Sequence, residues 1–93
     1  MSVQLGRRLH ALAVMRGLKS DIQTATAVSA AGFEVSQQSV NNYRNGTKMP
    51  PVGFIVAFVR GIDLDPDERR DLLRAYVHER PDLEEFVWMW RNA

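Results

Sequence analysis

The 93-residue sequence contains no cysteine and only two histidines, His10 and His78, which lie far apart along the chain. The lack of cysteine excludes a disulfide framework and a thiolate metal site, and the histidines do not have the spacing of metal ligands. A Gly-rich phosphate loop and a plausible Ser/His/Asp set are also missing. The sequence therefore predicts one small domain that is not an enzyme and that needs neither a metal nor a cofactor.

Long hydrophobic runs are missing too. The longest, residues 52–59, has eight residues, whereas a helix that spans a membrane needs about 20. The N-terminus lacks the charged-then-apolar order of a signal peptide. We therefore expect a soluble, cytoplasmic protein without a membrane partner.

The net charge is only +1, but it is unevenly distributed. Residues 1–60 carry seven basic and two acidic side chains, whereas residues 61–93 carry five basic and nine acidic ones. A basic part beside an acidic part indicates one half that faces DNA and one that faces elsewhere. A chance division of surface charge is the alternative interpretation.

Apolar residues recur at helical spacing, and no β-type alternation is present. The pattern predicts helices over residues 3–16, 22–31, 36–45, 52–60 and 66–79, and a sixth within residues 81–93. Ser36 is a suitable N-cap, Gly46 a suitable C-cap, and Asp65 and Glu68 have the spacing of a capping box. The fourth helix is apolar nearly all round, so we expect it at the centre of the core. The fold class is all-α.

The third predicted helix has an unusual polar surface. Val40 and Tyr43 are three residues apart and share a face that can dock on the core. The other positions are mostly amides, although Lys and Glu form helices better than Asn does. An amide offers a donor and an acceptor side by side, which matches N6 and N7 of adenine in the major groove. A polar helix face without a ligand is the alternative.

One segment resembles a known family. Gln37-Gln38-Ser39-Val40, followed by Asn45-Gly46 and then by Lys48 and Pro50, closely resembles the recognition helix and following loop of lambdoid phage repressor and Cro proteins. These belong to the Cro/repressor-type (XRE-like) helix-turn-helix family. The resemblance implies a lambda-repressor-like bundle of five helices in residues 1–80, which usually binds operators as a dimer.

The same resemblance implies a role for each matching position. Gln37, Gln38 and Asn42 correspond to residues that read bases. The positions implied to contact phosphate or other parts of the DNA are Gln23, Thr24, Ser36, Ser39, Asn41, Arg44, Asn45, Gly46, Thr47 and Lys48.

Two features depart from the family pattern. The turn from Gly32 to Ser36 is two residues longer than the family's tight turn, so the angle between the second and third helices stays open. Many relatives carry an acid at the position of Arg44, paired with an arginine of the first helix. That pairing is absent here, so we expect Arg44 either to contact a phosphate or to be solvated.

The end of the chain is crowded with apolar and aromatic residues. Since aromatic residues and Met are enriched at interface centres, we expect residues 81–93 to form or complete a homodimer contact. The alternative is that this helix folds back on its own domain. The candidate interface residues are Leu83, Phe86, Val87, Trp88, Met89 and Trp90.

The function predicted from the sequence is a sequence-specific regulator of transcription that binds double-stranded DNA. We expect a phage or prophage Cro- or repressor-like homodimer on a pseudo-palindromic operator, without a small-molecule effector. One alternative is a DNA-binding antitoxin or accessory factor that holds a partner protein through its acidic, aromatic C-terminal part. Another is a protein-interaction module that has lost DNA binding.

Overall fold

The computed structural model describes residues 3–85 and confirms an all-α fold. Within that range there are five α-helices and no strand. A single 3₁₀ turn, Pro81–Leu83, follows the last helix. The helices are α1 (Val3–Met15), α2 (Asp21–Ala30), α3 (Gln37–Asn45), α4 (Val52–Gly61) and α5 (Pro66–Glu79).

The helix ends lie within one residue of the predicted ones, because side-chain caps and glycines set them. Ser36 accepts a hydrogen bond from the backbone N–H of Ser39, and Gly46 ends α3 in the left-handed conformation. Asp65 and Glu68 form the predicted capping box. Pro51 is the N-cap of α4. No helix within residues 3–85 is long and apolar enough to cross a membrane.

The predicted sixth helix is not shown. The 3₁₀ turn occupies the beginning of its expected range. Most of that range, residues 86–93, lies outside the described residues.

Helix α4 is at the centre of the core, as predicted. Phe54, Ile55 and Phe58 are each no more than 1% exposed. The ring of Phe54 contacts three other rings, those of Phe33, Tyr43 and Phe58. Because Phe33 precedes α3 and Tyr43 lies on it, this aromatic cluster attaches the third helix to the centre of the molecule.

Helix α5 adds Leu72, Leu73 and Tyr76 to the core, and all three are fully buried. The hydroxyl of Tyr76 donates a hydrogen bond to the backbone carbonyl of Pro50 at 2.9 Å. Burial raises the pKa of Tyr76. This bond fixes the loop between α3 and α4 against α5.

Two glycines permit close helix–helix contacts. A Cβ atom at Gly6 would overlap the carbonyl oxygen of Arg44 and lie 2.8 Å from that of Tyr43, so α1 meets the backbone of α3 there. A Cβ atom at Gly61 would lie 2.6 Å from the carbonyl oxygen of Ala27 on α2. Larger residues at either position would force the two backbones apart.

Candidate nucleic-acid interface

Helices α2 and α3 pack directly against each other, and Val28 is fully buried in the core that they share. On α3, Val40 is buried and Tyr43 is half-buried, with its ring centroid 4.8 Å from that of Phe54. The predicted inward pair of α3 is therefore confirmed. The rest of the helix surface is left for the polar side chains.

The lengthened turn between α2 and α3 is held at both ends. The hydroxyl of Ser29 accepts a hydrogen bond from the Val35 N–H at 3.2 Å and lies 3.4 Å from the Val35 carbonyl oxygen. Phe33 packs edge-on against Phe54, with ring centroids 6.2 Å apart. These contacts set the entry of the chain into α3, which the sequence left open.

A carboxylate at the start of α2 holds the outer part of α3. Arg44 donates two hydrogen bonds to Asp21, from Nε at 3.0 Å and from Nη2 at 3.2 Å. Asn41 donates a third from Nδ2 at 3.0 Å. Burial raises the pKa of the Asp21 carboxyl, but the hydrogen bonds from Arg44 and Asn41 outweigh it and hold the pKa below its ordinary value.

This cluster, which we call the Asp21 clamp (Asp21, Asn41 and Arg44), gives Arg44 a partner that the sequence did not indicate. The guanidinium forms a two-point ion pair with Asp21, and the Arg44 side chain stays about one-third exposed. Asn41 is engaged as well, since its Oδ1 accepts a hydrogen bond from Asn45 Nδ2 at 3.0 Å. In this arrangement Arg44 and Asn41 position α3.

The outward side of α3 carries the three residues expected to read bases. Gln37 and Gln38 are exposed and Asn42 is half-buried. Gln38 Nε2 donates to Asn42 Oδ1 at 3.2 Å, and the hydroxyl of Thr47 lies 3.4 Å from the same oxygen. Since Oδ1 of Asn42 is occupied, its Nδ2 group is the part left to donate outward.

The loop after α3 uses its backbone N–H groups internally. The N–H groups of Thr47 and Lys48 donate to the carbonyl of Asn42 at 3.0 and 3.4 Å. That of Gly46 donates to Tyr43, and Gly46 is buried. The backbone of Gly46, expected to contact phosphate, is therefore committed to the helix cap, whereas the side chains of Thr47 and Lys48 are exposed.

The two candidates on α2 differ in exposure. Thr24 is only 6% exposed, and its hydroxyl donates to the Ser20 carbonyl at 3.3 Å. Gln23 is exposed, and its Oε1 accepts from the Lys19 N–H at 2.6 Å, which leaves Nε2 to donate. Of the pair, only Gln23 is exposed at the surface.

The remaining contact candidates lie near the ends of α3. Ser36 is exposed and donates its hydroxyl proton to Ser39 Oγ at 3.1 Å. Asn45 is exposed at the other end. Serine hydroxyls beside a helix N-terminus suit an anion, because the first N–H groups of a helix point outward there.

The candidate dimer residues lie almost entirely outside the described part of the chain, namely Phe86, Val87, Trp88, Met89 and Trp90. Leu83, the exception, is half-buried and packs against the core of its own chain. Within residues 3–85, no group of three or more His, Asp or Glu side chains could hold a metal ion.

Sequence reasoning missed the residues that orient α3. Asp21 directly follows Ser20, the N-cap of α2, and no local sequence pattern links it to α3. Gly6, in the middle of a helical pattern, was a usable signal, because an interior glycine costs helix stability and indicates close packing.

Comparison with known proteins agrees with this geometry. Neither the curated proteins nor the solved structures gave a significant match. A family model described as a helix-turn-helix domain matches residues 4–72, which is more than half of the chain and includes α2, the turn and α3. With two packed helices joined by a fixed turn, the second one exposing a row of amides, the chain belongs to the helix-turn-helix domain family.

Proposed function

We propose that this protein is a sequence-specific regulator of transcription that inserts α3 into the major groove of double-stranded DNA. The observation that carries the proposal is the division of α3 into two sides. Val40 and Tyr43 dock on the core, the Asp21 clamp fixes the angle, and Gln37, Gln38 and Asn42 stay at the surface. A fixed helix with exposed amides suits direct reading of base edges.

The amide pair Gln38 and Asn42 supports adenine as a target. The hydrogen bond from Gln38 Nε2 to Asn42 Oδ1 orients both side chains. Gln38 Oε1 is then available to accept from adenine N6, and Asn42 Nδ2 to donate to a neighbouring acceptor. Gln37, one residue earlier, supplies a second reading position.

The side chains around α3 supply contacts to the sugar–phosphate backbone. Contacts of this kind set register and orientation but carry no sequence information. Lys48 provides the positive charge, which makes binding dependent on salt. The proposed phosphate contacts are Gln23, Ser36, Ser39, Asn45, Thr47 and Lys48.

We further propose a Cro- or repressor-like homodimer on a pseudo-palindromic operator. A single reading helix contacts few base pairs, whereas two half-sites one helical turn apart raise affinity and specificity together. The C-terminal residues 86–93, rich in Trp, are the proposed contact between the two copies. A regulator of this kind acts in the cytoplasm.

A selection of bound DNA from a random pool, followed by titrations on the selected site and on random DNA, tests the function. Gln38→Ala should weaken binding to the selected site by about 1–3 kcal/mol and leave binding to random DNA nearly unchanged. Lys48→Ala is the matched control, because it should weaken both and lower the salt slope by about one. Equal loss on both DNAs for Gln38→Ala would remove it from the base readers.

The same selection tests the dimer. A palindromic consensus with half-sites about 10 base pairs apart supports two copies. Removal of residues 86–93 keeps Leu83 on the core and should turn a sedimenting dimer into a monomer. A full-length chain that sediments as a monomer at high concentration contradicts the dimer.

A further inference from the structure

A cavity of about 350 Å³ lies where α1, α3 and α4 meet the start of α2, and the exposed amide Gln37 is among its lining residues. Its buried lining is mainly apolar and comes from four helices, with Leu9 and Ala13 of α1, Thr24 of α2, Val40 of α3, and Phe54 and Phe58 of α4. Protein interiors are close-packed and contain few voids larger than a water molecule. A cavity of this volume is in the range of small-molecule sites.

The mouth of the cavity is polar and carries excess positive charge. Its rim includes Lys19, Asp21 and Arg44, together with the imidazole of His10. The charge of Asp21 is already matched by Arg44. Among the described residues Lys19 forms no ion pair, so its ammonium group is left to attract an anion.

The lining also favours a particular kind of apolar body. The rings of Tyr43, Phe54 and Phe58 form a continuous aromatic wall of the cavity. The ring centroid of Phe54 lies 4.8 Å from that of Tyr43 and 5.8 Å from that of Phe58. Aromatic rings pack well on such a wall in edge or offset arrangements. An aromatic body below and a carboxylate at the mouth would match both parts of the cavity.

We propose that this cavity binds a small aromatic carboxylate, and that the bound molecule opposes DNA binding. The second half rests on the proposed function. The carboxylate meets Lys19 and competes with Asp21 for Arg44, which loosens the Asp21 clamp and frees α3 from its DNA-binding angle. Coupling of this kind is reciprocal, so DNA lowers the affinity for the ligand by the same factor.

Binding is tested on the full chain by calorimetry with 2-naphthoate, with neutral 2-naphthamide as the matched control for charge. We expect saturable binding of 2-naphthoate and weaker binding of the amide. Lys19→Gln should weaken 2-naphthoate about 2- to 5-fold and leave the amide unchanged. Ala13→Leu, which fills the cavity, should abolish binding of both compounds. If Ala13→Leu fails to fold, Lys19→Gln still tests the proposal.

Amide chemical shifts locate the bound probe. Shifts at residues 18–24 and 40–44 support the cavity, with the surface of α5 around Asp71 and Arg74 as the unaffected reference. No saturable binding, or shifts spread over the whole surface, overturns the proposal. Binding seen only after removal of residues 86–93 would also overturn it, because the chain's own aromatic end would then be the occupant.

DNA titrations test the second part of the proposal, that the bound molecule opposes DNA binding. Saturating 2-naphthoate should weaken binding to the selected site at least about 5-fold, whereas 2-naphthamide should have a smaller effect. Ligand binding without any change in DNA affinity overturns this half. A protein that binds 2-naphthoate but no DNA contradicts the proposed function and leaves the cavity result standing.

Discussion

Helices α3 and α4 meet through the rings of Tyr43 and Phe54, but different forces hold the two helices. Helix α4 is held by apolar burial, since five of its residues are buried and none of them is polar. Helix α3 has one buried residue, Val40, and depends on the ring of Tyr43, the Asp21 clamp and the backbone contact at Gly6. The stability of the fold is thus concentrated in α4, and the orientation of the proposed reader depends on a few polar and steric contacts.

This difference matters for function because the two properties can be separated. Loss of apolar burial from α4 removes a large share of a small domain's stability, which is typically only about 5–15 kcal/mol. Loss of a polar contact on α3 costs far less, yet it acts where the angle of the helix is set. Substitutions in the two helices should therefore divide into those that unfold the protein and those that misplace α3.

The largest effect is expected for Phe54→Ala on α4. Phe54 is 1% exposed and contacts the rings of Phe33, Tyr43 and Phe58, so truncation leaves a large cavity. Free energies of unfolding from urea titration should fall by about 3–5 kcal/mol. Val14→Ala, at a half-exposed position of α1, is the control and should change stability by less than about 0.5 kcal/mol. A similar small change for Phe54→Ala would contradict the central position of α4.

The same contrast explains what could be predicted from the sequence. Apolar periodicity and caps are local signals, so the five helices, the central place of α4 and the capping box at Asp65 were predictable. The amides of α3 were also visible in the sequence. The Asp21 clamp was not, because it joins residues 20 and more positions apart and depends on an angle that no local pattern contains. The burial of Thr24 and Gly46 was not predictable for the same reason, since burial is a tertiary property.

The next largest effects are expected for Gly6→Ala and Gly61→Ala, which together distinguish the stability of the fold from the orientation of α3. Gly6→Ala should force α1 away from the backbone of α3, and Gly61→Ala should force α4 away from α2. Both replace a glycine with a better helix former, but the overlap outweighs that gain of about 1 kcal/mol. We expect each to cost about 1–3 kcal/mol by urea unfolding.

Once the folded fraction is taken into account, Gly6→Ala should weaken DNA binding more than Gly61→Ala does, because its clash is with the backbone of α3 itself. Titrations on the selected DNA site at a temperature where both variants remain folded make the comparison. Equal affinities of the two folded variants would show that the contact at Gly6 does not set the position of the reader.

The smallest effect, and the sharpest, is expected for Asp21→Asn. The Asn side chain keeps the shape of Asp21 and can still accept from Arg44, but it removes the charge of the pair. Because Arg44 is about one-third exposed, solvent replaces part of the lost attraction. The free energy of unfolding should fall by about 1 kcal/mol, and the double variant with Arg44→Gln should lose less than the sum of the two single changes.

The dependence on pH identifies the source of that loss. The pKa of Asp21 is lowered from 3.8 in the folded chain, so its carboxylate stabilises the fold fully above pH 3.8 and loses this effect as the pH falls further. The difference in unfolding free energy between the wild type and Asp21→Asn should therefore be constant from neutral pH to about pH 5 and shrink below pH 4. A difference that persists unchanged at pH 3 would mean that the loss of stability in Asp21→Asn does not come from the carboxylate charge.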